Sequence, residues 1–134
     1  MPTPIFVDTL FVVALINTRD QYHSQAVALA DKLEGFPLLI TDAVLLEIGN
    51  ALARNYKQEA VAIIEEFITS DEVEISHLSR DVFERAFDLY RAFQDKAGGL
   101  VDCISFVVMG DAGITEALTF DQHFVQAGFQ ALMR

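Results

Sequence analysis

The chain predicts an α/β domain built around a parallel sheet, and three observations carry that expectation. Its strand-like segments are short and apolar throughout rather than alternating, as strands covered on both faces are. Between them stand segments whose apolar residues recur at helical spacing. No internal repeat and no polar linker divides the 134 residues, so the elements belong to one domain spanning 1–134.

Ile5-Phe6-Val7 opens the sheet and Asp8 ends it abruptly. Leu10–Ile16 reads as a short buried helix, closed by the polar turn Asn17-Thr18-Arg19-Asp20. Tyr22, Ala26, Leu29 and Leu33 mark a second helix, which Glu34-Gly35 stops. Pro37 introduces the strand Leu38-Leu39-Ile40, and Thr41 or Asp42 caps a helix expected over Ala43–Tyr56, with Val44, Ile48 and Leu52 inward. Glu59–Ser70 predicts another helix burying Val61, Ile64, Phe67 and Ile68, followed by a short strand at Val73–Ile75. Arg80–Phe93 predicts a helix that turns Val82, Phe83, Ala86, Leu89 and Phe93 to the core. Gly98-Gly99 breaks the chain, and Val101–Gly110 is apolar almost all round, hence a buried helix. Ala117–Phe120 gives the last clear strand, Asp121–Ala127 a helical turn, and Phe129–Met133 a weak final strand.

Hydrophobic residues form 52% of the chain, ample for one core, and charged residues only 22%, so no segment reads as disordered. Apolar runs such as Leu10–Ile16 fall far short of the roughly 20 residues a membrane span needs. The opening MPTPIFVDT lacks the basic and small-residue features of a signal peptide. A lone cysteine, Cys103, sits in an apolar run and reads as a buried small hydrophobe. These features point to a cytoplasmic protein with no membrane partner. Twenty acids against nine Lys and Arg give a net charge of -11, the opposite of what a protein holding nucleic acid by its own field should carry. Either nucleic acid is not a partner, or cations come with the protein.

Where the acids fall decides between these. Functional groups of open α/β sheets gather beyond the carboxyl ends of the strands. Asp8 follows the first strand and Asp121 the last clear one; Glu47 stands early in the helix after the second strand, and Asp102 in the first turn of the buried helix. Singly, each has a bland reading as a cap or a partner of the helix dipole, worth ~0.3–1 kcal/mol. Glu47 is less easily dismissed, because it lies at the Ala51 border of its helix's apolar stripe rather than opposite it. Several carboxylates in one cleft repel by a few kcal/mol, so such a cluster needs a counter-charge. Arg54 and Lys96 are the best-placed basic residues, and each reads more readily as a solvated surface cation. Hard divalent cations suit an oxygen-rich set, Mg²⁺ or Mn²⁺, and no Cys/His set has zinc spacing. His23 and His77 read as surface residues, while His123, two after Asp121, either touches the site or caps the turn.

In the segments IFVDTLFVVALI, ITDAVLLEIGNAL, GLVDCISFVVM and ALTFDQHFVQAGF, the chain resembles the PIN-domain proteins, specifically the VapC-like toxins of toxin–antitoxin pairs. The resemblance implies a three-layer α/β/α sandwich with a central, mainly parallel sheet and an acidic pocket that binds Mg²⁺ or Mn²⁺ and cleaves RNA. It gives Asp8, Glu47, Asp102 and Asp121 as the acidic set, with Asp8 and Asp102 as direct metal ligands and the other two ligating directly or through water. Thr9 and Ser105 would orient water or phosphate, and Arg54 or Lys96 would meet a phosphate or the antitoxin. A homodimer and a cognate antitoxin are implied as partners; Tyr22, Phe36 and the Arg80–Phe93 helix are candidates for a dimer surface, though each reads first as core. Ala97-Gly98-Gly99 departs from the aromatic or serine common in that loop. Two other readings compete. A receiver-like signalling domain needs an acidic pair near the first strand and a lysine beyond the last, and neither is present. A PIN-like fold without catalysis would serve as a binding module.

Overall fold

Residues 2–93 and 98–134 are described by the computed structural model, and Lys96, one of the two candidate cations, lies outside them. The sheet starts with β1 (Ile5–Val7), all three of whose residues are buried, as the unbroken apolar run requires. Helices α1 (Thr9–Ile16) and α2 (His23–Lys32) lead to β2 (Leu38–Thr41), and α3 (Asp42–Leu52) and α4 (Lys57–Thr69) to β3 (Val73–Ser76). Then come α5 (Arg80–Ala92), α6 (Leu100–Ala112), β4 (Glu116–Leu118), α7 (Gln122–Gln126) and β5 (Gln130–Ala131).

The strands form one sheet in the order β3-β2-β1-β4-β5, and every pairing is parallel. Each connection therefore crosses over with helices. Helices α1 to α4 pack among themselves, and so do α5 to α7, giving the three layers expected. Strand order reverses between β1 and β4, so the crevice where such sheets bind ligands opens beyond the carboxyl ends of these two strands. The core fills the space beneath it. Phe6, Phe106 and Phe124 meet there, Phe106 edge-on to Phe124 at 4.9 Å between ring centroids. Each buried ring of this kind contributes roughly 1.5–3 kcal/mol.

Four expectations are corrected. The helix expected to run to Tyr56 ends at Leu52; the chain turns at 53–55, and Tyr56 immediately precedes α4 while its hydroxyl donates to Asn17 Oδ1 at 3.1 Å. Of the α4 positions expected inward, Val61 is 49% and Ile68 60% exposed, because α4 seats through Ala60 and Phe67 instead. Helix α5 lies on α6 through the small, fully buried Ala86, which leaves Phe83 and Phe93 above two-fifths exposed rather than in the core. His23 is half-buried, its Nδ1 2.9 Å from the Ala14 carbonyl, a link between α2 and α1 that its polarity alone does not announce. Cys103 is fully buried.

Candidate active site at the carboxyl edge of the sheet

Asp8 leaves β1 in extended geometry, with its backbone N–H donating to the Leu118 carbonyl at 3.3 Å across to β4. That bond fixes the carboxylate at the reversal point and buries it, only 2% exposed. Glu47 comes from the second turn of α3, whose start is set by Thr41: its hydroxyl accepts from the Val44 N–H at 3.0 Å. Thr41, not Asp42, is thus the cap, while the Asp42 carboxylate accepts the Leu78 N–H. Asp102 stands in the first turn of α6, and Asp121 caps α7 by accepting the His123 N–H at 2.9 Å. All four acids line one cleft of about 520 Å³, together with Thr9, Leu10, Asn50 and Ala51.

Hydroxyls hold the acids in place. Thr9 donates to Glu47 Oε1 at 2.6 Å, joining α1 to α3. Thr119, completely buried, donates to Asp8 Oδ2 at 2.8 Å and accepts from the Asp121 N–H at 3.1 Å. One hydroxyl therefore fixes two of the acids, and the sequence reading passed over it. The signal was the single hydroxyl two residues before Asp121 in an otherwise apolar strand end. Asn50, one turn beyond Glu47, was missed as well. Ser105 is fully buried and donates to the Val101 carbonyl at 3.1 Å inside its own helix, so it does not line the cleft where the resemblance would have it orient water. Arg54 lies in the exposed turn after α3 and is not among the lining residues either.

Electrostatics mark the cleft as unfinished. Burial pushes the Asp8 carboxyl up to about 7 against the relief of the Thr119 hydrogen bond, and the neighbouring Asp102 adds to the rise. Asp102 is pushed up to about 6, first by burial and then by the charges of Asp121 and Glu47; the Gly99 N–H, 3.1 Å away, opposes this. Among the described residues no Lys or Arg pairs with any of the four acids; Arg80, Arg85 and Arg91 are engaged elsewhere, with Glu84, with Asp81 and Asp111, and with Asp88. A carboxylate oxygen of Asp102, one of Asp121 and a ring nitrogen of His123 lie within 4.8 Å of one another. Asp8 is outside that closest group. The donors present are hard oxygens and one imidazole at a spacing a single divalent ion spans, so the residues fit the cation that the fold implies.

An all-parallel, five-stranded α/β/α domain with four carboxylates at its topological reversal defines the class: a domain with an acid cluster at the carboxyl edge of its sheet, able to hold a cation. The chain belongs to the PIN domain family, whose sequence profile matches residues 5–130. It is 35% identical over 127 residues to the 23S rRNA-specific endonuclease VapC20 of Mycobacterium tuberculosis, in strains CDC 1551/Oshkosh and H37Rv, covering 93% of this chain and 95% of the relative. The crystal structure of Mycobacterium tuberculosis VapC20, described as a Sarcin-Ricin loop cleaving toxin, superposes with a TM-score of 0.81 at 30% identity, over 93% of this chain and 95% of that one.

Proposed function

We propose that this chain is a divalent-cation-dependent endoribonuclease, the cytoplasmic toxin of a toxin–antitoxin pair, acting on ribosomal RNA. The observation that carries the reading is Asp8: a carboxyl 2% exposed, facing three other acids in one cleft with no Lys or Arg partner among the described residues, is unfavourable unless a cation completes it. Likeness to a ribosomal-RNA endonuclease over 93% of the chain supports the reaction and the substrate class.

Asp102 and Asp121, aided by Asp8 and Glu47, would hold Mg²⁺ or Mn²⁺. When bound, such an ion neutralises the phosphodiester and makes water a stronger nucleophile. The chain's own residues do the positioning. Thr9 locks Glu47 toward the cleft, Thr119 fixes Asp8 and Asp121 together, and Asn50 offers an uncharged amide at the rim where a ribose or phosphate would pass. With a net charge of -11, the protein's summed field opposes RNA, and a cation in the cleft would supply attraction there.

The remaining partners follow from surface chemistry. A groove of about 350 Å³ between α1, α2 and α4 is lined by Phe11, Leu15 and Phe67 and edged by Glu34, Glu66 and Glu72. An amphipathic, basic antitoxin segment fits it, and an arginine of that partner reaching the acid cleft would take the cation's place. A homodimer would use the exposed aromatic face of α5.

The test is direct. Purified protein cleaves RNA when Mg²⁺ or Mn²⁺ is added and stops with EDTA, and Asp8→Asn lowers the rate by about a hundredfold or more while the fold persists. Cleavage that survives EDTA, or an Asp8→Asn protein of full activity, would overturn the mechanism.

A further inference from the structure

His123 is the one member of the cleft's closest group that is not an acid. Its place is set twice over: α7 starts at Asp121, whose Oδ1 accepts the His123 backbone N–H at 2.9 Å, and the ring is then carried back over the same carboxylate. Ring Nδ1 ends 2.8 Å from Asp121 Oδ1, yet the approach is not aligned as a hydrogen bond, and Nδ1 is buried with no partner among the described residues. A buried, unpartnered nitrogen is costly. In the neutral ring, an unprotonated Nδ1 sets a lone pair against a carboxylate lone pair, which is repulsive. A cation received by both atoms turns that repulsion into coordination.

We propose that His123 is a nitrogen ligand of the divalent cation, bound through Nδ1 alongside Asp102 and Asp121, and that it biases the site toward Mn²⁺ over Mg²⁺. The inference rests on the metal-dependent reading above and sharpens it. Imidazole binds first-row transition ions, Mn²⁺ the weakest of them, more readily than it binds Mg²⁺, which prefers oxygen and retains water. A mixed set of oxygens and one nitrogen therefore separates two ions that an all-carboxylate cluster would treat more alike. Asn50 and Glu47 across the cleft supply only oxygen and amide donors, so the selectivity resides in this one ring.

The test is pulsed EPR on the full chain loaded with Mn²⁺, together with calorimetric titration of Mn²⁺ and of Mg²⁺ into metal-free protein. Wild-type protein should show electron-spin-echo modulation from a directly bound nitrogen. His123→Gln should lose it, and should bind Mn²⁺ on the order of tenfold more weakly or worse with a much smaller change for Mg²⁺. Circular dichroism checks that the variant is folded; the side chain of His123 is 35% exposed, so the exchange leaves the core intact. Mn²⁺ bound tightly without nitrogen modulation, and lost equally with Mg²⁺ in the variant, would overturn the ligand assignment while leaving an oxygen-only metal site standing. A wild-type protein that binds neither ion would sink this inference and the metal-dependent function with it.

Discussion

At Asp8, burial and charge act against each other. Its carboxyl, pushed from the ordinary 3.8 up to about 7, gains a proton more readily in the fold than in the unfolded chain. Such a group leaves the fold fully stable below about pH 4 and subtracts stability as the pH climbs toward 7. Asp102, pushed up to about 6, acts in the same direction. Each tenfold change in proton affinity is about 1.4 kcal/mol, so ionised Asp8 costs the metal-free fold on the order of 4 kcal/mol at pH 8. Asp8→Asn removes that charge, and its amide oxygen still accepts from Thr119. In EDTA at pH 8 the variant should melt higher than wild type, by roughly 5–10 °C, with the gap narrowing at pH 5 and closing below about pH 4. Mn²⁺ should raise the melting temperature of wild type, and that of the variant by less. A variant that melts below wild type at pH 8 in EDTA would show that Asp8 is held by something other than a missing cation. The same residue was legible in the sequence, because a charge that closes a wholly apolar strand has few structural uses. Thr119 and Ser105 were not: both are hydroxyls near an acid, and only the rotation of the strand end and of α6 decides that one faces the acids and the other its own helix.

Elements differ in how much their own sequence determines them. Strands β1 and β2 were plain because burial on both faces demands an unbroken apolar run, which no solvent-facing segment imitates. The break between α3 and α4 was hidden, since Ala53-Arg54-Asn55 contains no Gly or Pro. A tertiary bond, Tyr56 to Asn17, fixes where the chain turns. The start of α6 shows a third case. Gly98 reads as a simple break, but a methyl there would overlap the Asp102 carboxylate, so it is space rather than backbone freedom that requires glycine. Gly98→Ala should push Asp102 off its bond to the Gly99 N–H and reduce RNA cleavage on the order of a hundredfold, as small misplacements of a catalytic group do. Because α6 is buried along Cys103–Met109, its melting temperature should change little. Full activity in Gly98→Ala would show that the loop gives way without disturbing the acid.

On the scale of the whole molecule, the unanswered feature is the outer face of α5. Phe83, Phe87, Tyr90 and Phe93 recur on it at helical spacing, each 42–44% exposed, along a helix about 20 Å long. Amphipathic periodicity announced a buried stripe; it could not tell whether the cover comes from this chain or another, and within the chain α6 takes only the Ala86 side. RNA is a poor match for the face, because Arg80, Arg85 and Arg91, the basic residues of α5, are all paired with acids of the same molecule. A neutral aromatic stripe edged by both signs of charge suits a second copy across a two-fold axis. Antiparallel α5 helices crossing near Phe87 would bring Glu84 of one copy toward Arg91 of the other while the rings interleave. Phe87→Glu, at the centre of that contact, should convert a dimer to a monomer by light scattering at micromolar concentration. The melting temperature of the monomer should hold, since the side chain faces outward. A wild-type protein that is already monomeric, or a Phe87→Glu dimer, would leave the stripe to the antitoxin; the same measurement with that partner added would then show whether α5 is where it binds.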